Sequence, residues 1–463
     1  MIANSTVPTF RADPAPGRVS RRTLLRSTLV AGAVVATARP GAAFAAPPAG
    51  GMPRQHGPEV LQAWYRTLYD ALMDDAGATP GRAARVYATT AVAAHEAVAT
   101  GTRDVRSLAG QLRELGPAPR RPNAALDWPS VVSEAIASAA ADLLRDRPEA
   151  VRAAITRAAA DHREARRVAG VPARVATRSI RHGTAVGQHV AAWARADGAE
   201  TTFTRAYTPP VGPDLWRSTP PNYGTAIDPY WGTVRTMALP TADACHPVAP
   251  IPFSTDPSSA FHGQAMAVLE AADTLTDAGR ATSLYWRDNP TTSGLPSGHW
   301  MLLVAQVVGE RGMDLPTATA TLAATGIALH DAFVSCWHEK YAINLLRPIS
   351  YINLHVPGRA EWRSYVNTPQ FPEYTSGHSV ASQAAATVLT GLLGTVVFTD
   401  RTHAVRNPSL GARSFASFQD AAYEAANSRL LGGIHYPMGI DVGLQQGEHV
   451  GRTVLQRVRL SSR

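Results

Sequence analysis

Lys340 is the single lysine among the 44 basic residues of this 463-residue sequence, so every other permanent cation is an arginine. An ammonium is a compact charge with three donors and suits one oxygen of an oxyanion, whereas a guanidinium prefers a planar, two-pronged contact. Arg347 follows seven residues later, which on a helix places both cations on one face, nearly two turns apart. The residues around them are apolar, and a buried pair of cations requires an anion. The pair therefore predicts an oxyanion pocket, with chance survival of one lysine as the alternative.

The segment before another predicted helix could bind the same anion. Ser376 can cap that helix, Gly377 lets an anion approach the backbone N–H groups, and the helix N-terminus adds positive potential. His378 follows directly, so a titratable imidazole would stand beside the anion. The tripeptide alone is a weak signal, because Ser297-Gly298-His299 repeats it upstream, and we predict that copy to be a helix N-cap.

A third guanidinium and a second imidazole lie nearer the C-terminus, at Arg429 and His435. On a regular helix, the six-residue gap would turn these two side chains about 120° apart. Gly432 and Gly433 lie between them and allow the chain to bend. Both side chains could then reach one ligand, although a histidine after a glycine turn is more often structural.

Together these residues form the pattern K-x6-R-P, S-G-H and S-R-x5-H within residues 340–441. The pattern resembles that of the superfamily shared by vanadium-dependent haloperoxidases and type 2 phosphatidic acid phosphatases. The resemblance implies a vanadium chloroperoxidase-like fold and an oxyanion held by Lys340, Arg347, Ser376, Gly377 and Arg429. It also implies an axial role for His435, which would bind vanadium in a peroxidase and attack phosphorus in a phosphatase. His378 would be the acid–base group.

The resemblance further implies vanadate as the cofactor, acting as a Lewis acid towards hydrogen peroxide without a change in oxidation state. Hydrogen peroxide, a halide and a small organic substrate are then the expected partners, and the product is a hypohalous acid equivalent. Trp337 and Phe371 match aromatic positions that line the halide site of fungal chloroperoxidases, although aromatic residues at such positions are ordinarily core. The alternative function is an exported acid phosphatase with a phosphohistidine intermediate at His435.

Two positions depart from the family pattern. Thr375 stands where the family usually has a proline before Ser-Gly-His, and Gly439 stands where many members carry an aspartate that orients the last histidine. Asp441 could orient it from the next helical turn, or could be only a charge near a helix N-terminus. Asp331, nine residues before Lys340, is a second candidate for an orienting carboxylate. It would orient an arginine of the site and not the histidine.

Apolar residues recur at helical spacing through most of the chain, and strand patterns are nearly absent. The predicted helices span residues 58–74, 83–100, 129–145, 171–196, 259–278, 299–311, 315–346, 376–393, 414–431 and 438–457. The helix with Lys340 should stop at Arg347, because Pro348 disfavours helical geometry in the residue before it. We therefore expect an all-α fold of two helical bundles in one continuous domain, residues 46–196 and 257–463, joined by an irregular, Pro-, Thr- and Tyr-rich connector at 197–256.

Composition narrows the class of function. Hydrophobic residues make up 45% and charged residues 17%, as in a globular protein. Residues 1–45 hold six arginines and one aspartate, so the net charge of +8 falls to about +3 without them. That charge, with no basic stripe, argues against nucleic acid as a partner. An integral lipid phosphatase would need several membrane-spanning segments, which the sequence does not show. The two imidazoles, which ordinarily titrate near neutral pH, favour an enzyme over a protein that only binds an oxyanion.

The N-terminus predicts export. Arg21 and Arg22 precede a short apolar stretch that ends at Ala43-Phe44-Ala45, the order found in a twin-arginine signal peptide, which we assign to residues 1–45. The apolar stretch is too short for a membrane span, so we expect a secreted or cell-envelope protein without integral membrane association. Cys245 and Cys336 are compatible with one disulfide or with two buried thiols, and the oligomeric state is open.

Overall fold

The computed structural model describes residues 51–461, and the predicted signal peptide at residues 1–45 lies outside them. Within the described residues the chain forms fourteen α-helices and one antiparallel pair of short strands. The helices of the first half are α1 Glu59–Met73, α2 Pro80–Ala99, α3 Trp128–Leu143, α4 Glu149–Val168, α5 Ala173–Arg195 and α6 Ala199–Thr202. The second half contains α7 Ala260–Asp273, α8 Asp277–Tyr285, α9 Leu295–Glu310, α10 Leu315–Ile343, α11 Pro348–His355, α12 Gly377–Leu393, β1 Phe398–Asp400, β2 Arg413–Phe415, α13 Phe418–Leu431 and α14 Pro437–Arg457.

The all-α prediction is confirmed, and every predicted helical segment overlaps an observed helix. Helix α4 was not predicted, because only Val151, Ile155 and Ala159 of its twenty residues are buried and its apolar stripe is correspondingly thin. The prediction that one helix runs to Arg347 is wrong. Helix α10 ends at Ile343, where Asn344 takes a left-handed conformation with φ of 54°, a common way to end a helix.

Helix α10 joins the helices of both halves. It packs against α2 on one side and against α12 on another, and 23 of its 29 residues are buried. Gly326 permits the contact with α2, since a Cβ atom there would lie 3.0 Å from the Cα atom of Ala88. The two sets of helices therefore share one hydrophobic core, as expected for bundles within one domain.

Two glycines of α14 let this helix lie directly against α12. A Cβ atom at Gly447 would lie 2.3 Å from the carbonyl oxygen of Val380, and one at Gly443 would lie 2.8 Å from the Cβ atom of Ser379. Only glycine fits at such distances, because protein interiors are close-packed. The backbone contact fixes the N-terminal turn of α12, where the Ser-Gly-His motif lies.

The connector at 197–256 is mostly irregular, with α6 and one turn of 3-10 helix at Trp231–Thr233. It is tied to α10 by Asp331, whose carboxylate accepts three backbone N–H bonds, from Met237 (2.6 Å), Ala238 (2.8 Å) and Leu239 (2.8 Å). The prediction that Asp331 orients an arginine is therefore wrong, because both of its oxygens hold the connector.

Two further expectations concern thiols and membranes. Cys245 and Cys336 are both buried and free, which decides the question that the sequence left open. Of the helices in residues 51–461, none combines the length and the apolar character that a membrane crossing requires.

Candidate active site

A cavity of about 100 Å³ is lined by residues of α10, α12 and α13 and of the loops that follow α11 and α13. The start of α2, the connector and the segment at the start of α9 complete the lining. A single water needs only about 10–15 Å³ of such volume, so the cavity can hold a small polyatomic ligand. Six of the predicted site residues lie in its wall: Trp337, Phe371, Gly377, His378, Arg429 and His435. Segments far apart in sequence therefore meet at this cavity, whereas Lys340, Arg347 and Ser376 are not among the residues that line it.

His435 is held in one tautomer. Its Nδ1 lies 2.7 Å from Oε1 of Glu373, and its Nε2 lies 3.1 Å from a terminal nitrogen of Arg347. Because a guanidinium can only donate, Nε2 must accept and Nδ1–H must donate to Glu373. Burial first, and then Arg347, hold the pKa of His435 well below its usual 6.5. The imidazole is thus neutral, and its Nε2 lone pair, which here accepts from Arg347, could instead bind a metal or act as a nucleophile.

Glu373 is the carboxylate that orients His435. It is fully buried, its Oε1 also accepts the backbone N–H of Tyr436 at 3.1 Å, and burial raises its pKa to about 7. The prediction that Asp441 does this is wrong: Asp441 is exposed on α14, and Glu373 occupies the position beside the imidazole. A Cβ atom at Gly439 would lie 2.4 Å from Oε1 of Glu373, so glycine at this position makes room for the carboxylate.

Arg347 supplies a buried donor with no partner. It is the N-cap residue of α11, with Nε donating to the carbonyl oxygen of Phe371 at 2.8 Å and one terminal nitrogen donating to that of Ile434 at 2.9 Å. The other terminal nitrogen is buried without a hydrogen-bond partner among the described residues. Burial lowers the pKa of Arg347 only to about 10, so the group stays charged at neutral pH. An unpartnered buried guanidinium nitrogen is what an oxyanion oxygen would satisfy.

Lys340 holds the loop beneath the site. Its ammonium donates to the carbonyl oxygens of Pro372 (3.0 Å), Glu373 (2.9 Å) and Thr375 (2.5 Å), which takes all three donors. Lys340 Nζ lies 5.0 Å and the guanidinium carbon of Arg347 lies 4.8 Å from the centre of the Phe371 ring, so the two cations lie near one ring. The prediction that they share one helix face is wrong, because α10 ends at Ile343, before Arg347. Direct contact between Lys340 and an oxyanion stays a prediction.

The Ser-Gly-His motif begins α12 as expected. Ser376 is the N-cap residue and its hydroxyl accepts the N–H of Ser379 at 3.4 Å, which leaves the first turn of the helix with free backbone donors. His378 has a side chain that is 15% exposed, and its Nε2 lacks a hydrogen-bond partner. Burial first, and then Arg429, lower the pKa of His378 well below 6.5. A neutral base therefore lines the cavity.

Arg429 and the glycine bend complete the cation set. Arg429 donates from Nε to Ser428 Oγ at 3.1 Å and from a terminal nitrogen to the carbonyl oxygen of Trp286 at 2.6 Å, and burial lowers its pKa to about 10. Gly433 has a φ of 77°, a conformation that favours glycine, and it turns the chain after α13 so that His435 reaches the same cavity. The predicted bend is confirmed.

Aromatic rings form one wall of the cavity. The ring centres of Trp337 and Phe371 are 4.9 Å apart, and those of Phe333 and Trp337 are 5.6 Å apart. All three residues line the cavity, so the aromatic positions that the resemblance selected do face the site.

The second Ser-Gly-His copy does not cap a helix, and that prediction is wrong. Helix α9 begins at Leu295 with Gly294 as its N-cap residue, because Pro296 favours a start at that point. His299 therefore lies in the second turn, where it is fully buried between Asp288 and Asp400. Asp288 also lines the cavity, with Oδ2 3.9 Å from Nε2 of His378, and sequence reasoning missed it because no motif contains it.

The donors and the lone pair of this site fit a tetrahedral oxyanion. The unpartnered nitrogen of Arg347, the first turn of α12 and Arg429 can each give N–H donors, while Nε2 of His435 can bind the central atom. Residues 320–462 match the family described as the second helical-bundle domain of VCPO. None of the curated proteins matches the sequence.

Solved structures of vanadium enzymes share the fold. The crystal structure of the first bacterial vanadium-dependent iodoperoxidase has 31% sequence identity and a TM-score of 0.81, over 88% of this chain and 98% of that chain. Holo-type and apo-type bacterial vanadium-dependent chloroperoxidase each have 16% identity, with TM-scores of 0.64 and 0.62. These two matches cover 82% and 80% of this chain, and 93% and 91% of theirs. The chain belongs to the vanadium-dependent haloperoxidases.

Proposed function

We propose that this enzyme uses vanadate to oxidise iodide with hydrogen peroxide, giving hypoiodous acid or its equivalent. The observation that carries the proposal is the state of His435. Its Nδ1–H is held by Glu373 and its Nε2 lone pair lies beside the donors of Arg347, in a cavity that also contains the neutral base His378. A metal ligand paired with a base is needed for peroxide chemistry, whereas simple anion storage needs only donors.

Vanadate would be held by Arg347, Arg429 and the N–H groups of the first turn of α12, with Nε2 of His435 as the protein ligand to the metal. When bound, it supplies Lewis-acid activation of hydrogen peroxide. Lys340 contributes by fixing the loop at 372–375, which carries Glu373 and leads into Ser376.

His378 is the proton carrier of the reaction. Iodide gives up two electrons, the O–O bond of hydrogen peroxide breaks, and hypoiodous acid and water form with uptake of one proton. The neutral Nε2 of His378 accepts a proton from hydrogen peroxide as it binds and returns one to the oxygen that leaves as water. Asp288, 3.9 Å away, favours the imidazolium that exists between these two steps.

Iodide is the halide we propose. Support comes from the 31% identical structure, which is that of an iodoperoxidase. Iodide is also the halide that loses electrons most easily, and the aromatic wall formed by Trp337 and Phe371 offers polarisable contacts to a large, weakly hydrated anion. Bromide and chloride demand a stronger oxidant.

The test uses the full-length protein loaded with orthovanadate. Triiodide formation is measured with hydrogen peroxide and iodide, and bromination and chlorination are assayed in parallel. Hydrolysis of an aryl phosphate is measured on the vanadate-free protein and again after vanadate is added. We expect vanadate-dependent iodide oxidation that is lost in His435→Ala and kept in the surface variant Asp441→Asn. Hydrolysis inhibited by vanadate, without halide oxidation, would instead assign the acid phosphatase function.

We also propose that residues 1–45 direct the folded protein out of the cytoplasm. The paired Arg21 and Arg22 followed by a short apolar stretch support this route, which carries folded proteins. The variant with Arg21→Lys and Arg22→Lys should remain inside the cell, and its appearance outside at the level of the unmodified protein would contradict the proposal.

A further inference from the structure

Four buried side chains form a cluster behind the oxyanion cavity: Asp288, His299, Asp400 and His403, of which none is more than 4% exposed. They come from the loop before α9, from α9 itself, and from β1 and the turn after it. Among residues 51–461, Asp288, His299 and His403 are the one group of three or more His, Cys, Asp or Glu side chains whose ligand atoms all lie within 4.8 Å of one another.

Both histidines point their far nitrogens at acceptors. Nε2 of His299 lies 2.7 Å from Oδ2 of Asp400, and Nε2 of His403 lies 2.9 Å from the carbonyl oxygen of Tyr285. A histidine that binds a metal almost always donates its other N–H to a carboxylate or a backbone carbonyl, which fixes the tautomer and the ring orientation. Here the carboxylate of Asp400 is the partner of His299, and the carbonyl of Tyr285 is the partner of His403.

The near nitrogens converge on Asp288. Nδ1 of His299 lies 3.1 and 3.2 Å from the two oxygens of that carboxylate, while Nδ1 of His403 is buried with no hydrogen-bond partner among the described residues. Because Nε2 of His403 must donate to a carbonyl, its Nδ1 carries an unused lone pair. Burial keeps this imidazole neutral by lowering its pKa to about 4.

Charge and access also suit a cation. The cluster holds two buried carboxylates, Asp288 and Asp400, whose negative charge a divalent cation could offset. A second cavity of about 210 Å³ is lined by Asp288 and His403 together with Arg287, Ser293 and Asn407. An ion could enter through it without passing the oxyanion cavity.

We propose that Asp288, His299 and His403 bind one divalent ion of the zinc type, separate from vanadium. Two imidazole nitrogens and a carboxylate oxygen form a donor set that zinc favours, and a water in the second cavity can take the fourth tetrahedral position. Asp400 and the Tyr285 carbonyl orient the imidazoles. The ion ties together three segments of the fold and fixes Asp288, the carboxylate that lies 3.9 Å from His378.

The test measures metal binding rather than turnover. The full-length protein is stripped with EDTA, dialysed, and titrated with Co²⁺ and then Zn²⁺. We expect one Co²⁺ per chain, visible absorption of tetrahedral cobalt, and displacement by Zn²⁺. His403→Ala should bind cobalt at least about tenfold more weakly. Asp400→Asn, which changes the carboxylate partner of His299 and also the acceptor of the Thr402 N–H, should weaken binding about 10- to 100-fold.

Two control variants locate the ion. His449→Ala, on the exposed face of α14, should leave cobalt binding unchanged, and His435→Ala should do the same because it belongs to the other site. Folding of each variant is checked by circular dichroism. Absence of stoichiometric cobalt in the folded wild-type protein, or equal affinity in His403→Ala, would overturn the proposal. Should His403→Ala not fold, equal affinity in Asp400→Asn would overturn it as well.

Discussion

The carboxylate of Glu373 fills the space that a side chain at Gly439 would need, because a Cβ atom there would lie 2.4 Å from Oε1 of Glu373. The same oxygen lies 2.7 Å from Nδ1 of His435. A carboxylate side chain beside His435 can therefore come from position 373 or from position 439, but not from both. Where the family often carries an aspartate at the position of Gly439, this chain brings the charge from the loop at 372–375.

Glu373→Gln should weaken vanadate binding about 10- to 100-fold, the range expected when a partner of a metal-ligating histidine is changed. A glutamine can still accept from Nδ1–H, but it loses the negative charge that makes the imidazole a better ligand. Equilibrium dialysis gives the Kd, and ¹⁵N NMR of the histidines shows whether His435 keeps its Nδ1–H tautomer.

Rescue separates this positioning role from a general loss of structure. The double variant Glu373→Ala/Gly439→Asp should bind vanadate more tightly than the single variant Glu373→Ala. Gly439→Asp alone should bind vanadate more weakly than the double variant, because its two carboxylates would overlap. Asp441→Asn, on the exposed surface of α14, is the matched control and should bind normally. An effect of Asp441→Asn equal to that of Glu373→Gln would contradict our assignment.

Vanadate should stabilise the folded protein through the unpartnered nitrogen of Arg347. At a vanadate concentration of 100 times Kd, mass action adds about 2.7 kcal/mol to the free energy of unfolding. In Arg347→Lys this gain should shrink at the same vanadate concentration, because an ammonium has only three donors. It cannot replace the bonds of Arg347 to two carbonyl oxygens and to Nε2 of His435 and also donate to an anion. Thermal unfolding with and without vanadate measures the gain in the wild type and in Arg347→Lys. Equal shifts in Tm for the two proteins would refute the role of Arg347 in vanadate binding.

Much of the site could be predicted because the cations and imidazoles stand in a specific order along the chain. Arg429 and His435 meet His378 in one cavity, and Gly433 makes the predicted bend. Glu373 could not be assigned, because its partner lies 62 residues away and nothing in the local spacing marks the contact. The signal available was indirect: an expected aspartate was missing at 439, and one acidic residue stood in an otherwise uncharged segment.

Most helices could also be predicted from the sequence, but some helix ends could not. Helices such as α12 and α14 have clear apolar periodicity and lie within a residue of their predicted bounds. The end of α10 was misplaced because the prediction relied on Pro348, whereas Asn344 ends the helix first. The N-cap prediction at Ser297 failed for the opposite reason, since Pro296 begins α9 before the serine. In both cases a neighbouring residue with its own backbone preference set the helix boundary, and the residue used for the prediction did not.

His378 should remain neutral through weakly acidic pH in the vanadate-free protein. Burial lowers its pKa first, and the charge of Arg429 lowers it further, so protonation should begin well below the ordinary value of 6.5. Removing that charge in Arg429→Gln should move the midpoint upward. ¹⁵N-histidine NMR follows the titration, and comparison with His378→Asn identifies the signal. A wild-type midpoint at 6.5, or a downward shift in Arg429→Gln, would rule out this electrostatic account.

The approach of α14 to α12 should be as important for the site as the charged residues. In Gly447→Ala the new Cβ atom would lie 2.3 Å from the backbone oxygen of Val380, so the two helices must separate. We expect a loss of about 1–3 kcal/mol in the free energy of unfolding, as for other overpacked interiors, together with weaker vanadate binding because the first turn of α12 moves.

The matched control is Gly263→Ala on the exposed face of α7, where a Cβ atom would have nothing within 4 Å. Alanine favours a helix over glycine by about 0.5–1 kcal/mol, so this variant should be as stable as the wild type or more so. Urea unfolding and vanadate titration on both variants give the comparison. If Gly447→Ala lost stability but bound vanadate normally, the helix contact would support the fold without positioning the anion site.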